Sequence, residues 1–212
     1  MMKRSRGYFF TFEGGDGAGK TTLIANLAGK LRERGVEVVT TLEPGGTTLG
    51  LAIRGLVLQT REDGSELDPR AELALFLAAR AQHVQELILP ALERGACVLC
   101  DRFSHSSIAY QGLGRGLGME KVKELSNWFS DNCQPDYTFY LDLDPRTGLE
   151  RKRGVHHQKD RIEEASLEFH SEVRKAFLKM AQEDPAKWRV IDASKSAEEV
   201  LGEAENLVRD YV

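Results

Sequence analysis

The stretch Gly14-Gly15-Asp16-Gly17-Ala18-Gly19-Lys20-Thr21 has the residue types and spacing to hold phosphate. It fits G-x-x-x-x-G-K-[ST], a turn whose glycines let backbone N–H groups point inward at an anion. Lys20 is placed to reach the β- and γ-phosphates, and the Thr21 hydroxyl is placed for Mg²⁺. Thr22 follows in the first turn of an expected helix, whose N-terminus adds partial positive charge. Such a loop has meaning only between a strand and a helix. Both are expected here: residues 7–13 read as a buried strand, and Leu23, Ile24, Leu27 and Leu31 recur at helical spacing. Binding of a nucleoside triphosphate with Mg²⁺ follows from this segment.

The elements that must position the loop alternate along the 212 residues. Strands are expected over residues 7–13, 36–42, 96–101, 137–143 and 188–192. The first helix closes at Gly35, a C-terminal cap. The turn Glu43-Pro44-Gly45-Gly46-Thr47 leads into a short helix through Arg54 to Leu58, then a polar loop over 60–66. Asp68 as N-cap and Pro69 at the first helical position open a long helix to about Arg94, with a bend near Pro90. A Gly-punctuated segment, 111–116, precedes a helix over 120–132. Residues 145–153 start helical and break at Gly154, ahead of a polar insert over 155–159. A long helix is expected over 161–183, and Ser196 with Glu199 forms a capping box for the last one. This alternation predicts an α/β protein with a parallel sheet, helices on both faces, and ligands at the carboxyl ends of the strands. No repeat and no linker rich in Pro, Gly or Ser interrupts it, so a single domain over 1–212 is expected.

A net charge of −4 and a pI near 5.8 argue against bulk nucleic-acid binding. No apolar run approaches a membrane span and no signal-peptide pattern opens the chain, so a cytoplasmic protein is expected. Residues 1–6 read as a short, disordered basic tail. Cys97 and Cys100 form a C-x-x-C, but they fall on an expected strand, where residues three apart face opposite sides. Buried reduced thiols, with Cys133 the third, fit better than zinc or redox chemistry.

Further polar groups fall at strand ends. Asp101 ends four apolar residues, the shape of a segment that holds Mg²⁺ through water or accepts a proton from an attacking phosphate. Arg102 beside it can clamp a second phosphate. Asp142 has a similar setting and is a rival. Arg80 borders the apolar stripe of the long helix, either reaching solvent or facing a buried polar ligand. Phe76 beside it is core or a stacking platform. Ser107, Tyr110 and Gln111 can line the same pocket, and Gln111 offers the donor and acceptor that suit a nucleobase edge. Arg146, Arg151, Lys152, Arg153 and Arg161 surround the break at Gly154. They make a solvated helix face or a lid over phosphates, at about 146–161. His156 and His157 in the insert read as exposed loop residues.

Together these residues resemble the bacterial thymidylate (dTMP) kinase family over essentially the full chain. Its marks are Phe12-Glu13-Gly14 running into the P-loop, Glu43-Pro44-Gly45-Gly46-Thr47, Asp101-Arg102, Ser106-Ser107-Ile108-Ala109-Tyr110-Gln111-Gly112 and Asp160-Arg161-Ile162-Glu163. The resemblance implies a five-stranded parallel sheet in order 2-3-1-4-5, a P-loop NTPase fold, and a homodimer. It implies that Asp16 holds the 3′-hydroxyl of dTMP, that Arg54 and Arg102 bind its phosphate, and that the Glu43-Pro44 turn belongs to the acceptor site. Phe76 would stack on thymine, Arg80 would bond its O4 edge, Ser107 and Gln111 would meet the rest of the base, and Tyr110 would favour deoxyribose. Gly17 stands where one kind of relative carries an Arg, so this chain resembles the kind whose lid supplies that cation. Arg153 is the first choice and Arg151 the second, with Arg161 anchoring the closed lid. Leu42 and Phe103 depart from the residues usual at their places. The expected reaction is phosphoryl transfer from ATP to dTMP, giving dTDP for dTTP synthesis. A kinase for another nucleotide and a P-loop switch are the alternatives, and Phe76, Arg80 and Gln111 speak against the switch.

Overall fold

The computed structural model describes residues 6–60, 65–153, 161–209 and 211, without the side chain of Arg153. Its centre is β1 (Phe9–Gly14), buried at every position. β2 (Val38–Leu42), β3 (Cys97–Asp101), β4 (Tyr137–Asp142) and β5 (Trp188–Asp192) complete a sheet in the order β2-β3-β1-β4-β5. Every pairing is parallel, as the alternation requires, and the order is the expected one. Phe12 lies opposite Asp101 on one side and Phe139 on the other, and Leu42 also pairs with Asp101. That register brings the turns after β1, β2 and β3 to one edge of the sheet.

Helices cover both faces in the three-layer P-loop arrangement. Phe10 and Phe12 pack with Leu23, Ile24, Leu27 and Leu31 of α1 (Lys20–Glu33) and with Val200, Ala204 and Val208 of α9 (Ala197–Val208). Phe9, one residue away, joins Val84, Ile88 and Phe103 on the opposite face. β3 alternates in the same way: Cys97 packs on the α1 side and Cys100 on the other. The two thiols diverge as the strand period demands, and all three cysteines are free. Burial pushes the Cys97 thiol up to about 12. The Ser196–Glu199 capping box is present in both directions.

The remaining helices are α2 (Thr48–Leu58), α3 (Pro69–His83), α4 (Leu89–Glu93), the short α5 (Ser104–Ser107), α6 (Met119–Phe129), α7 (Pro145–Arg153) and α8 (Leu167–Glu183). Asp68 caps α3 through the Arg70 N–H at 2.8 Å. The expected bend near Pro90 takes the form of a π-helical stretch, Val84–Ile88, because proline cannot donate to the preceding turn. Three expectations change. The Gly-punctuated segment belongs to a second π-helical stretch, Ile108–Gly114, that continues α5. The long helix starts at Leu167 behind its Ser166 cap, leaving Arg161 in a turn. Arg6 is not part of a free tail, since its guanidinium pairs with Asp136 at 3.0 Å. Residues 1–5, part of the 60–66 loop and the insert with His156 and His157 lie outside the described residues.

The two strands that carry the site are tied together by one carboxylate. Glu13, fully buried in β1, accepts the Phe103 N–H at 2.9 Å, the Ser106 N–H at 3.3 Å and the Ser106 hydroxyl at 2.6 Å. Desolvation raises its pKa from 4.5 to about 7, against the Ser106 hydrogen bond and the charge of Arg102. A carboxyl raised in the folded state stabilises fully below its unfolded pKa, and that contribution disappears as pH climbs through the folded value. The stability of the protein relative to Glu13→Gln should therefore fall by up to about 3 kcal/mol between pH 4.5 and 7 and then level off. Urea midpoints of the two proteins across that window check this; parallel pH profiles would refute it.

Candidate active site

The P-loop leaves β1 with Gly14, Gly17 and Gly19 at φ of +148°, +73° and +90°, values L side chains rarely adopt. Gly17 is small for a second reason. A Cβ there would lie 2.1 Å from the Gly148 carbonyl oxygen of α7, and a Cβ on Gly148 would lie 2.1 Å from that of Asp16. Loop and helix thus meet backbone to backbone. Gly14, Gly15 and Ala18 shape the turn behind the cleft, whereas Asp16, Gly17, Gly19, Lys20, Thr21 and Thr22 face it. The cleft holds about 460 Å³.

Lys20 is buried, and its ammonium donates to the carbonyls of Gly14 and Gly15 at 3.1 and 2.9 Å. Burial, helped by nearby Arg102, lowers its pKa to about 8, against the carboxylates of Asp101, Asp16 and Glu13. The Thr21 hydroxyl donates to Asp101 Oδ2 at 2.8 Å, although 80 residues separate them. Two hard oxygen ligands at the mouth of a phosphate loop fit Mg²⁺, which takes few protein ligands and keeps water and phosphate for the rest. Asp142, the rival, is held by Arg174 at 2.7 Å and by the Tyr140 hydroxyl at 3.1 Å, and does not line the cleft.

Across the cleft stands Arg102, whose φ of +69° is unusual for a residue with a side chain. Its guanidinium donates to Asp16 at 3.1 Å and to the Ser106 hydroxyl at 3.2 Å, and lies 5.1 Å from the Tyr110 ring centre. Lys152 of α7 approaches Asp16 at 3.7 Å and also pairs with Glu163. Burial works against ionisation of Asp16, but Arg102, Lys20 and Lys152 overcome it and bring its pKa down to about 2.

The turn after β2 forms the third wall. Glu43 is buried and shared: Arg80 Nε donates to one oxygen at 2.8 Å, and His83 Nδ1 meets the other at 3.0 Å. Arg80 also donates to the Ser107 hydroxyl at 3.0 Å, and His83 Nε2 meets the Thr41 hydroxyl at 2.7 Å. At 1% exposure Arg80 does not reach solvent, and of its two expected settings only the buried polar one holds. Pro44 offers its carbonyl to Arg54 at 3.1 Å. Phe76, Arg80, Ser107, Tyr110 and Gln111 share the wall beyond this turn, with Leu42 at the mouth.

Arg151 lines the cleft while donating to the Ala193 carbonyl at 3.0 Å. Arg153 ends α7, and its side chain lies outside the described residues. Arg146 is exposed. Arg161 reaches back to the Val57 carbonyl of α2 at 3.1 Å and pairs with Glu72 of α3. Sequence reasoning gave no role to Glu13, Glu72, His83 or Ser106, all of which hold the site together, and it placed Lys152 in the basic cluster without its pairing to Asp16 and Glu163. For Glu72 a signal existed: with Phe76 and Arg80 it recurs every four residues, which places all three on one helix side.

Comparison with known proteins finds relatives over most of the chain. The family model for thymidylate kinase matches residues 12–204. A thymidylate kinase of Protochlamydia amoebophila is 47% identical over 205 residues, covering 94% of this chain and 91% of the relative. One from Geobacillus thermodenitrificans is 46% identical over 198 residues, covering 93% and 87%. The crystal structure of thymidylate kinase from Ehrlichia chaffeensis superposes with a TM-score of 0.78 at 34% identity, over 95% of this chain and 98% of that one. Agreement of this extent, reaching from the end of β1 into the last helix, shows that the chain belongs to the thymidylate kinase family.

Proposed function

We propose that the cleft between the P-loop and the Phe76–Gln111 wall is where this member of the thymidylate kinase family transfers the terminal phosphoryl group of ATP to dTMP, giving dTDP and ADP. The observation that carries this is the Arg102–Asp16 pair, 3.1 Å apart, standing between the phosphate loop and the acceptor wall. ATP phosphates fill the P-loop, where the Lys20 ammonium exchanges its loop carbonyls for β- and γ-oxygens. Thr21 and, through water, Asp101 hold Mg²⁺, which supplies charge neutralisation on those phosphates. Arg102 and Arg54 grip the dTMP phosphate, Asp16 takes the sugar 3′-hydroxyl, and Tyr110 crowds the 2′ position. Phe76 stacks on thymine, while Arg80, Ser107 and Gln111 meet its edge. Glu43 and Pro44 orient Arg80 and Arg54. The attacking oxygen is already anionic, so positioning and charge stabilisation carry the step, with no strong general base required.

The segment 146–161 serves as the lid of a single domain over 1–212. Residues Arg151 and Lys152 already face the cleft, and Arg161 ties the far end of the segment to α2 and α3. A second copy of the chain covers the exposed Leu49 and Leu56, seven residues apart on α2, in a homodimer. The enzyme acts in the cytoplasm on small-molecule substrates and takes neither nucleic acid nor lipid; among the described residues no helix is long and apolar enough to cross a membrane.

A coupled ADP-release assay with ATP and a panel of nucleoside monophosphates tests the reaction. dTMP should be the best acceptor. dUMP, lacking one methyl group, should be weaker by roughly 10- to 200-fold but still react. Equal turnover of CMP or AMP would refute the acceptor assignment. The lid is tested by Arg151→Ala and Arg153→Ala side by side. Arg153→Ala should lower kcat by about 10³-fold or more with little change in the KM for dTMP, as expected for a contact made mainly in the transition state. Near-normal kcat in both variants would remove the lid arginines from the mechanism.

A further inference from the structure

Gln111 has to choose which end of its amide it shows to the cleft, and its surroundings make the choice. It is 2% exposed, and its Nε2 donates to Glu72 Oε1 at 2.7 Å. Glu72 is itself only 1% exposed. Its other oxygen, Oε2, is taken by Arg161 and lies 3.5 Å from Arg115 NH2. A carboxylate between two guanidiniums and an amide offers acceptors only, so the amide must present its NH₂ to Glu72. The opposite orientation would set two acceptors against each other in a buried site. The acceptor Oε1 of Gln111 is then the end turned toward the base.

We propose that Glu72 is a specificity-determining positioning residue, which locks the Gln111 amide so that the acceptor pocket demands a donor at the ring nitrogen of the base. The inference rests on the reading of Gln111 as a base-contacting residue given above. Thymine and uracil carry N3–H, a donor, and satisfy Oε1. Cytosine carries an unprotonated N3, an acceptor, and leaves both groups unpaired out of water, where an unmet polar group is costly. The same carboxylate holds Arg161, so the segment that follows the lid and the group that reads the base share one buried anchor.

Glu72→Gln tests this with a shape almost unchanged. Arg161 and Arg115 still require an acceptor, so the new amide turns its oxygen to them and its NH₂ to Gln111. Gln111 must then flip and present its own NH₂ to the base. The kcat/KM ratio of dTMP to dCMP should fall by roughly 10- to 100-fold from the wild-type value, with most of the loss on the dTMP side as raised KM. In a Gln111→Leu background the same substitution should leave that ratio unchanged, since the amide it acts through is gone. Equal losses on dTMP and dCMP would mean that Glu72 is merely structural and would overturn the proposal. A wild-type protein with no preference for dTMP over dCMP would instead sink the underlying reading of the pocket. Should Glu72→Gln not fold, the wild-type protein labelled with ¹⁵N decides. The Gln111 side-chain NH₂ protons, assigned by their loss in Gln111→Asn, should exchange slowly without ligand and change less than about twofold when dTMP is added. Protection that arises only with dTMP would show the NH₂ reading the base and would overturn the proposal.

Discussion

A charged side chain taken out of water has to be met by opposite charge or by hydrogen bonds, and the cleft of this protein is built on that necessity. Glu13, Glu43 and Glu72 are all buried, and each is answered by groups from another element. Glu13 joins β1 to the turn after β3, Glu43 joins the turn after β2 to α3, and Glu72 joins α3 to Gln111 and to Arg161. Removing Glu43 or Glu72 would strand the charge of Arg80 or Arg161 in a dry site, and removing Glu13 would leave the Phe103 N–H and the Ser106 donors unmet; either costs more than the contact gains when whole. The side chains facing the substrates are therefore aimed by a shell of charges that cannot relax independently. Preorganisation of this kind is what phosphoryl transfer needs, because its barrier is lowered by placement and charge and little by covalent chemistry.

A second constraint lies in the backbone. The P-loop and α7 touch at Gly17 and Gly148 with no room for a side chain on either. A side chain at position 17 is thereby excluded, and the cations of α7 that line the cleft stand further along the helix, at Arg151 and Lys152. Lys152 lies against Asp16 and Glu163 in this structure, so α7 is tied by charge both to the P-loop and to the turn that carries Glu163. Arg102, at φ +69° and followed by the Phe103 and Ser106 groups that Glu13 clamps, is the matching cation across the cleft. Loop, helix and turn thus set the width of the cleft.

Much of this was legible in the residues, and the parts that were not share a cause. The P-loop, the capping box at Ser196 and the N-cap at Asp68 are written in adjacent residues, because a glycine turn or an N-cap depends on what lies within four positions. The strand alternation was equally plain, and it placed Cys97 and Cys100 on opposite faces. Helix limits were less clear. Arg161 sits in a turn where the long helix is expected to begin, because Ser166 supplies the cap that starts α8. The Gly-punctuated segment 111–116 falls in no helix expected from the sequence, yet its residues up to Gly114 lie in a π-helical stretch packed between α6 and α8.

By itself the sequence determined the order of strands and helices, the phosphate loop, the set of polar residues at the carboxyl edge of the sheet, and the likeness to one family. These follow from local periodicity and from short motifs whose chemistry needs no distant partner. Only the tertiary structure decided which charges meet. Arg80 and Glu43 are 37 residues apart, Arg161 and Glu72 are 89 apart, and Gln111 and Glu72 are 39 apart. No periodicity links such positions. Whether an arginine on an apolar stripe reaches water or a buried carboxylate is settled when the chain closes around it, because the low dielectric of the interior rewards only the charges that find one another.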